Sequence, residues 1–245
     1  MTRGINAAAA GMKTCQTKLD VLANNLANVS TIGFKRDELA FADMLERNIT
    51  DTTGRFPRDV GRLGSGPTLA REVTVGEVGP AISSDNPLDL RLDKPNQYFA
   101  VRTPEGVRYT RDGATHITSD GTLVNSQGYA YLDVGNTPIK IEGNPSLESI
   151  KVQPNGAISV NGAEQSVLNV VEGDLQKVGD NLYDGQPKPA SDSTVVSGSL
   201  EGSNVNAVQT MVEMIDLQRN FEASQRAIRT QDELTEQLIR SLASR

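Results

Sequence analysis

A chain of 245 residues is long enough to bury a core in one large domain or two small ones. Its formal charge of −7, from 24 Lys and Arg against 31 Asp and Glu, speaks against nucleic acid, whose phosphates need a basic face, and against an anionic membrane surface. One cysteine, one histidine and no tryptophan exclude an internal disulfide and a cysteine metal cluster, and no cofactor is expected.

The first residues lack a basic segment followed by a long apolar run. No stretch reaches the roughly 18–20 apolar residues of a membrane span. Neither a cleaved secretion signal nor membrane insertion is expected. A cytoplasmic chain is the simple expectation, unless an export route reads an uncleaved N-terminus.

All 11 prolines lie between Pro57 and Pro189, and glycine is concentrated in the same stretch. Proline breaks helix interiors and glycine weakens them, so two helix-permissive ends flank a turn-rich middle. In the first end, Ile5, Ala8, Met12, Cys15, Leu19, Leu22, Leu26 and Val29 recur alternately three and four residues apart. That is an a/d heptad seam, the mark of a helix that packs against another helix. The spacing predicts a helix over Gly4–Asn28, with Ser30, Thr31 and Gly33 where the chain leaves it. A short second helix over about Asp37–Asn48 follows, without a clean seam. Residues 1–49 thus form the N-terminal helical part of an assembly domain.

Residues 50–75 are polar and Gly-rich and read as an extended connector. Residues 76–202 read as a β-rich domain. Tyr98–Arg102 and Val107–Arg111 are strand-like runs joined by a turn at Thr103-Pro104-Glu105-Gly106. Asp120-Gly121, Asn155-Gly156 and Asn161-Gly162 mark further tight turns between the short runs Ile150–Gln153, Ala157–Val160 and Val167–Val171. Turns this frequent predict an antiparallel sandwich or barrel.

Residues 203–245 return to helix, from about Asn206 to Ala243. Ala207, Thr210, Met214, Leu217, Phe221, Ser224, Ile228, Gln231, Thr235, Leu238 and Leu242 repeat the heptad spacing, and Met211, Ile215, Leu234 and Ile239 broaden the face. Polar seam members restrict register and partner at a cost in stability. The fold class is therefore α+β. The N- and C-terminal helices pair as a coiled-coil-like domain, with an inserted, mainly antiparallel β domain. Both helices carry more apolar edge than one partner covers, so neighbouring copies are the natural cover, and a repeated contact that does not close gives a filament.

Ala23-Asn24-Asn25-Leu26-Ala27-Asn28-Val29-Ser30-Thr31-Ile32-Gly33-Phe34-Lys35-Arg36 resembles the signature of bacterial flagellar rod and hook proteins. Three asparagines in five residues point either to a fraying helix end or to amide bonding at a crowded subunit junction. Leu200-Glu201-Gly202-Ser203-Asn204-Val205-Asn206 resembles that family's entry into its last helix. Met214-Ile215, Gln218-Arg219, Phe221-Glu222, Thr230 and Asp232-Glu233 match its later elements. Tyr109-Thr110-Arg111-Asp112-Gly113 and Asp120-Gly121-Thr122-Leu123-Val124 look like its hairpin. One departure is Lys94-Pro95-Asn96-Gln97-Tyr98-Phe99, where the family often carries a Gly-rich turn.

The resemblance spans nearly the whole chain and implies terminal helices forming the inner tube of a rod, with the β domain as its outer wall. The length is close to that of the proximal rod protein; the distal sibling and hook-type proteins are the alternatives. The implied partners are further copies, neighbouring rod proteins of the axial structure and, in transit, the type III export apparatus, which takes such chains uncleaved. The implied location is the basal body, in a rod that transmits torque from motor to hook. On seam and motif together, the assembly interface falls on Ile5, Met12, Leu19, Leu22, Asn24, Asn25, Leu26, Asn28, Gly33 and Phe34 at one end. At the other it falls on Asn204, Val205, Met214, Ile215, Leu217, Phe221, Ile228 and Leu238.

Catalytic and metal sites are not expected. His116 sits in a strand-like run with no second histidine to complete a zinc site. Cys15 holds a seam position as a small apolar residue. Asp89, Arg91 and Asp93 alternate as a solvated charge ladder would. Gly64-Ser65-Gly66 lacks the Lys-Ser/Thr of a phosphate loop, and Asp112 to Asp120 fails calcium-loop spacing. A non-flagellar coiled-coil adaptor with a β recognition domain would explain the heptads but not the paired terminal motifs.

Overall fold

The structure, a computed structural model, describes residues 2–43, 46–51, 58–64, 67–141 and 149–243. Its elements begin with α1 (Thr2–Ala27), β1 (Asp37–Asp43), β2 (Glu46–Asp51), β3 (Arg58–Gly64), β4 (Pro67–Thr74), β5 (Ala81–Ser83) and β6 (Leu90–Leu92). There follow β7 (Gln97–Thr103), β8 (Gly106–Thr110), β9 (Thr115–Ile117), β10 (Leu123–Asn125), β11 (Ala130–Tyr131), β12 (Ile150–Val152), β13 (Ala157–Val160) and β14 (Ala163–Val167). The chain ends through β15 (Val170–Glu172), β16 (Gln176–Gly179), β17 (Leu182–Asp184), β18 (Lys188–Pro189), β19 (Val195–Ser197), β20 (Ser199–Glu201) and α2 (Ala207–Ala243). The fold is α+β. It divides into two compact units: Met1–Leu26 with Asp37–Val73 and Asn206–Arg245, and Ala27–Arg36 with Thr74–Val205.

In the first unit most heptad positions are at least half-covered, though Leu242 at the end of the seam is exposed. On α1, Leu22 is buried and Ala8, Met12, Cys15, Leu19 and Leu26 are half-buried, while Ala9, Lys13, Gln16, Asp20 and Ala23 are exposed. On α2, Thr210 is buried and Ala207, Met214, Leu217, Phe221, Ser224, Ile228, Gln231 and Thr235 are half-buried, with mostly exposed residues between them. Asn206 caps α2 through its Oδ1, which accepts the Gln209 N–H at 3.2 Å. The side chains of Ile5 and Leu238 lie outside the described residues.

The short helix expected over Asp37–Asn48 is not formed: β1 and β2 stand there instead. β1 pairs with β4, and β2 pairs antiparallel with β3, so strands also run through the stretch expected as connector. Residues 44–45, 52–57 and 65–66 lie outside the described residues. The apolar positions Leu39 and Phe41 are two apart, the period of a strand, and no heptad seam opposes it.

The second unit is built around β7. Its main sheet runs β16-β17-β8-β7-β11-β10-β9, with β15 also on β7 and β18 on β15. Every described pairing in this unit is antiparallel. The expected hairpin at 103–106 joins β7 to β8, and Asn161-Gly162 turns β13 into β14 with φ of 51° and 83°. Paired positive φ values of this kind match the right-handed twist of hairpin strands. β7 is buried on both faces. On one side Phe99 and Val101 enter a core with Leu90, Leu92, Leu123, Tyr131, Ile139, Ile158 and Leu182, where Phe99 meets Tyr131 edge-on at 5.8 Å. On the other side Tyr98 packs with Val171, Leu175 and Tyr183. Asn96, in the departure from the family's Gly-rich turn, takes φ of 54°, a conformation asparagine tolerates.

Candidate functional site

The two terminal motifs meet in the second unit, on the Tyr98 side of β7. The chain leaves α1 at a turn in which the Thr31 N–H donates to Asn28 O and the Thr31 hydroxyl to Asn28 Oδ1, both at 3.1 Å. Gly33 then takes φ of 66°, and a Cβ there would lie 2.3 Å from Arg111 O. Only glycine fits, because both the backbone angle and the contact forbid a side chain. The Gly33 N–H donates to Glu201 O at 2.7 Å, which lays Gly33-Phe34-Lys35-Arg36 beside β20.

Glu201 is the centre of this junction. Its Oε1 accepts from Lys35 Nζ and from the Gly79 N–H at 2.9 Å, and its Oε2 is 2.7 Å from Arg111 Nη1. Arg111 Nη2 also donates to Lys94 O, Lys35 Nζ to Glu77 O, and the Arg111 guanidinium stands over the Tyr98 ring, 5.6 Å from its centroid. Lys35 and Glu201 are each 1% exposed and Arg111 2%. Two cations therefore share one carboxylate out of water. Burial lowers the Lys35 pKa, opposed by Glu201 and reinforced by Arg111, and burial raises that of Tyr98. A lysine this enclosed, with its head held by a carboxylate, is closed to substrate, so the arrangement fastens chain segments rather than performing chemistry.

Asn204 does the same with neutral groups. Its Oδ1 accepts the Arg36 N–H at 2.7 Å, and its Nδ2 donates to Val75 O at 3.0 Å and Glu77 O at 3.3 Å. The Val75 N–H donates back to Arg36 O at 2.9 Å. The β16–β17 hairpin holds the strap from the other side. Asn181 Nδ2 donates to Ile32 O at 2.8 Å, and Lys177 Nζ donates to Lys35 O at 3.0 Å while standing 3.7 Å from the Phe34 ring centroid.

Of the residues expected at an assembly interface, Gly33, Phe34, Asn204 and Val205 belong to this junction or border it, and Phe34 is buried inside the subunit. Asn25 belongs to the first unit. Its buried amide accepts the Asp37 N–H at 3.0 Å and donates to Asp37 O at 2.9 Å. That satisfies it within the subunit, which accounts for the central asparagine of the cluster. Lys35, Arg111 and Glu201 were missed as site residues. They stand inside motifs quoted above, and the legible signal was a lone acid, Glu201, in an otherwise uncharged run.

The expected charge ladder is corrected. Asp89 is buried, accepting from Ser84 Oγ, Asn86 Nδ2 and the Thr115 N–H, while Arg91 pairs with Asp93 at 2.9 Å. Asp112 is buried too, held by Ser126 Oγ and the Ala114 N–H, and burial raises its pKa. Tyr131 donates to Asp112 O at 2.7 Å. His116 is exposed on β9 and Cys15 is half-buried on α1. Among the described residues no helix is long and apolar enough to cross a membrane.

Comparison with known proteins covers both motifs and the sheet between them. The family described as "Flagella basal body rod protein" matches residues 5–35, "Flagellar hook protein FlgE/F/G D1 domain" matches residues 95–160, and "Flagellar basal body rod FlgEFG protein C-terminal" matches residues 196–241. The flagellar basal-body rod protein FlgG of Bacillus subtilis (strain 168) is 31% identical over 98% of this chain and 98% of its own length. The flagellar basal-body rod protein FlgF of Rhizobium meliloti (strain 1021) is 33% identical over 91% of this chain and 90% of its own. FlgG of Borreliella burgdorferi is 31% identical over 96% of each. These are structural proteins and not enzymes, and the chain belongs to the flagellar basal-body rod protein family.

Proposed function

We propose that this chain is a subunit of the flagellar rod that polymerises through its terminal helices, as part of the shaft that carries torque from motor to hook. The observation that carries this reading is a second apolar stripe on α2. Most of the heptad face is half-covered, yet Val208, Met211, Val212 and Ile215 are exposed beside it, as are Leu234 and Ile239 further along and Leu242 at the far end of the seam itself. An exposed apolar stripe of this kind marks a contact surface, and in a chain related end to end to rod proteins the fitting occupants are the helices of neighbouring subunits. On this reading α1 and α2 pair as a coiled coil within the subunit. The assembly interface comprises the seam residues named above together with this outer stripe.

Further copies and other rod proteins of the axial structure are the partners, and the export apparatus carries the chain out without cleavage. The length supports the proximal position. The test is deletion of the gene followed by electron microscopy of isolated basal bodies. Loss of all structure beyond the inner membrane ring supports the proximal position, a retained rod stub points to the distal one, and intact rods overturn the reading.

A further inference from the structure

We infer that Glu201 is a positioning residue for assembly: its carboxylate fastens to the β unit the segments from which both terminal helices depart. This rests on the rod reading above. The two compact units are joined by four crossings of the chain, at 26/27, 36/37, 73/74 and 205/206. All four open within a few residues of the junction. Residues 27–36 carry two of them, and Gly33, Lys35 and Arg36 are bonded to Glu201 or Asn204. The crossing at 73/74 runs directly into Val75, Glu77 and Gly79, which are bonded to Asn204 and Glu201. The last crossing follows Asn204 itself. One acid and one amide in a single four-residue stretch thus hold every departing segment.

The charge balance makes Glu201 the sensitive member. Lys35, Arg111 and Glu201 are all withdrawn from water. Without the carboxylate, two cations face each other in a dry site, and the junction has to open to hydrate them. The main core is separate. Phe99, Val101 and Tyr131 pack on the opposite face of β7, so an opened junction leaves that core its own contacts. The expected failure is a β unit that remains folded while its helix-bearing ends no longer leave it from fixed points.

The junction also supplies its own reporters, because four backbone N–H groups are held in it: Gly33 on Glu201 O, Arg36 on Asn204 Oδ1, Val75 on Arg36 O and Gly79 on Glu201 Oε1. Hydrogen–deuterium exchange is measured on the full chain as wild type, as the near-isosteric Glu201→Gln, and as Lys35→Met/Glu201→Gln. In Glu201→Gln, exchange over 33–36 and 75–79 is expected to quicken at least tenfold, with 97–103 in β7 unchanged. The double variant removes one of the opposed cations and is expected to regain at least half of that loss on a logarithmic scale. In cells lacking the gene, wild type restores motility, Glu201→Gln does not, and the double variant recovers in part. Unchanged exchange at the junction, equal acceleration in β7, no recovery in the double variant, or normal motility with Glu201→Gln would each overturn the inference. Failure of the wild-type chain to restore motility would instead bring down the rod reading, and the exchange measurement still decides the role of Glu201.

Discussion

The side-chain amide of Asn25 forms both of its hydrogen bonds with the backbone of Asp37, twelve residues on, as a neighbouring strand would. A carboxylate cannot repeat this, since it would face Asp37 O without a proton to give. Asn25→Asp is therefore expected to destabilise the chain by about 2–3 kcal/mol, read as a lowered urea midpoint, and Asn25→Ala by about 1–3 kcal/mol through the two backbone groups left unpaired. A midpoint unchanged in both variants would show that the amide is dispensable.

The Glu201 junction makes an asymmetric prediction for stability. Removing the shared carboxylate with Glu201→Gln should lower the free energy of opening the junction, read from exchange of the Gly33 and Gly79 N–H groups, by about 3–5 kcal/mol, because it strands two buried cations while the core on the other face of β7 keeps its own contacts. Lys35→Met leaves Glu201 paired with Arg111 and held by the Gly79 N–H, so its cost should stay within about 1 kcal/mol. Equal losses in the two variants would refute the charge argument.

Gly33→Ala tests the turn that lays the first motif against Arg111. A left-handed non-glycine residue alone costs about 1–3 kcal/mol, and the 2.3 Å approach to a backbone oxygen adds to it. Denaturation should show a loss of about 3 kcal/mol or more; a loss under about 1 kcal/mol would mean the strap simply shifts.

Asp112 gives the pH dependence. Burial and, to a lesser degree, Asp89 hold its pKa above the ordinary value of 3.8, against the Ser126 and Ala114 donors. A raised acid contributes its full stability below the unfolded pKa and loses it as pH rises through the folded one. Asp112→Asn, which cannot ionise, should therefore match wild type near pH 4 and pull ahead as pH rises to 7. The gain is about 1.4 kcal/mol for each unit by which the acid is raised. Urea midpoints at several pH values read this directly, and a difference that does not vary with pH would contradict it.

Ile215 separates assembly from folding. It is half-exposed on the outer stripe of α2, so Ile215→Asp should change monomer stability by no more than about 0.5 kcal/mol. Once a neighbouring subunit covers that stripe, the same substitution buries an unpaired charge, and rods should fail to form. Motility in cells carrying it would argue that the stripe faces water in the assembled rod. Phe221→Asp, on the covered seam, should by contrast lower stability as well as block assembly.

The helices were legible because their information is local. Thr210, Ser224 and Gln231 fit the seam despite their polarity, since the spacing alone identifies the face and that face is the covered one. The hairpins at 103–106 and 161–162 were legible for the same reason, through turn chemistry. The stretch Asp37–Asp51 was not. Its apolar residues, Leu39, Ala40, Phe41, Ala42, Met44, Leu45 and Ile49, follow no single period, and the partner that makes β1 a strand is β4, some thirty residues on. Asp89 was misjudged because an acid in an alternating run looks solvated until loops bring Ser84, Asn86 and Thr115 around it. The junction needed three distant motifs to meet, and no periodicity encodes that meeting.

With a single cysteine, the chain has no covalent staple of its own. The bond from Lys35 to Glu201 nevertheless ties together residues 166 positions apart, the kind of ring a disulfide closes in other proteins. The entropy of closing so large a ring is set against this contact, although that term grows only logarithmically with length. Unlike sulfur chemistry, the fastening needs no oxidant, so the ring closes when the chain folds and opens when it unfolds.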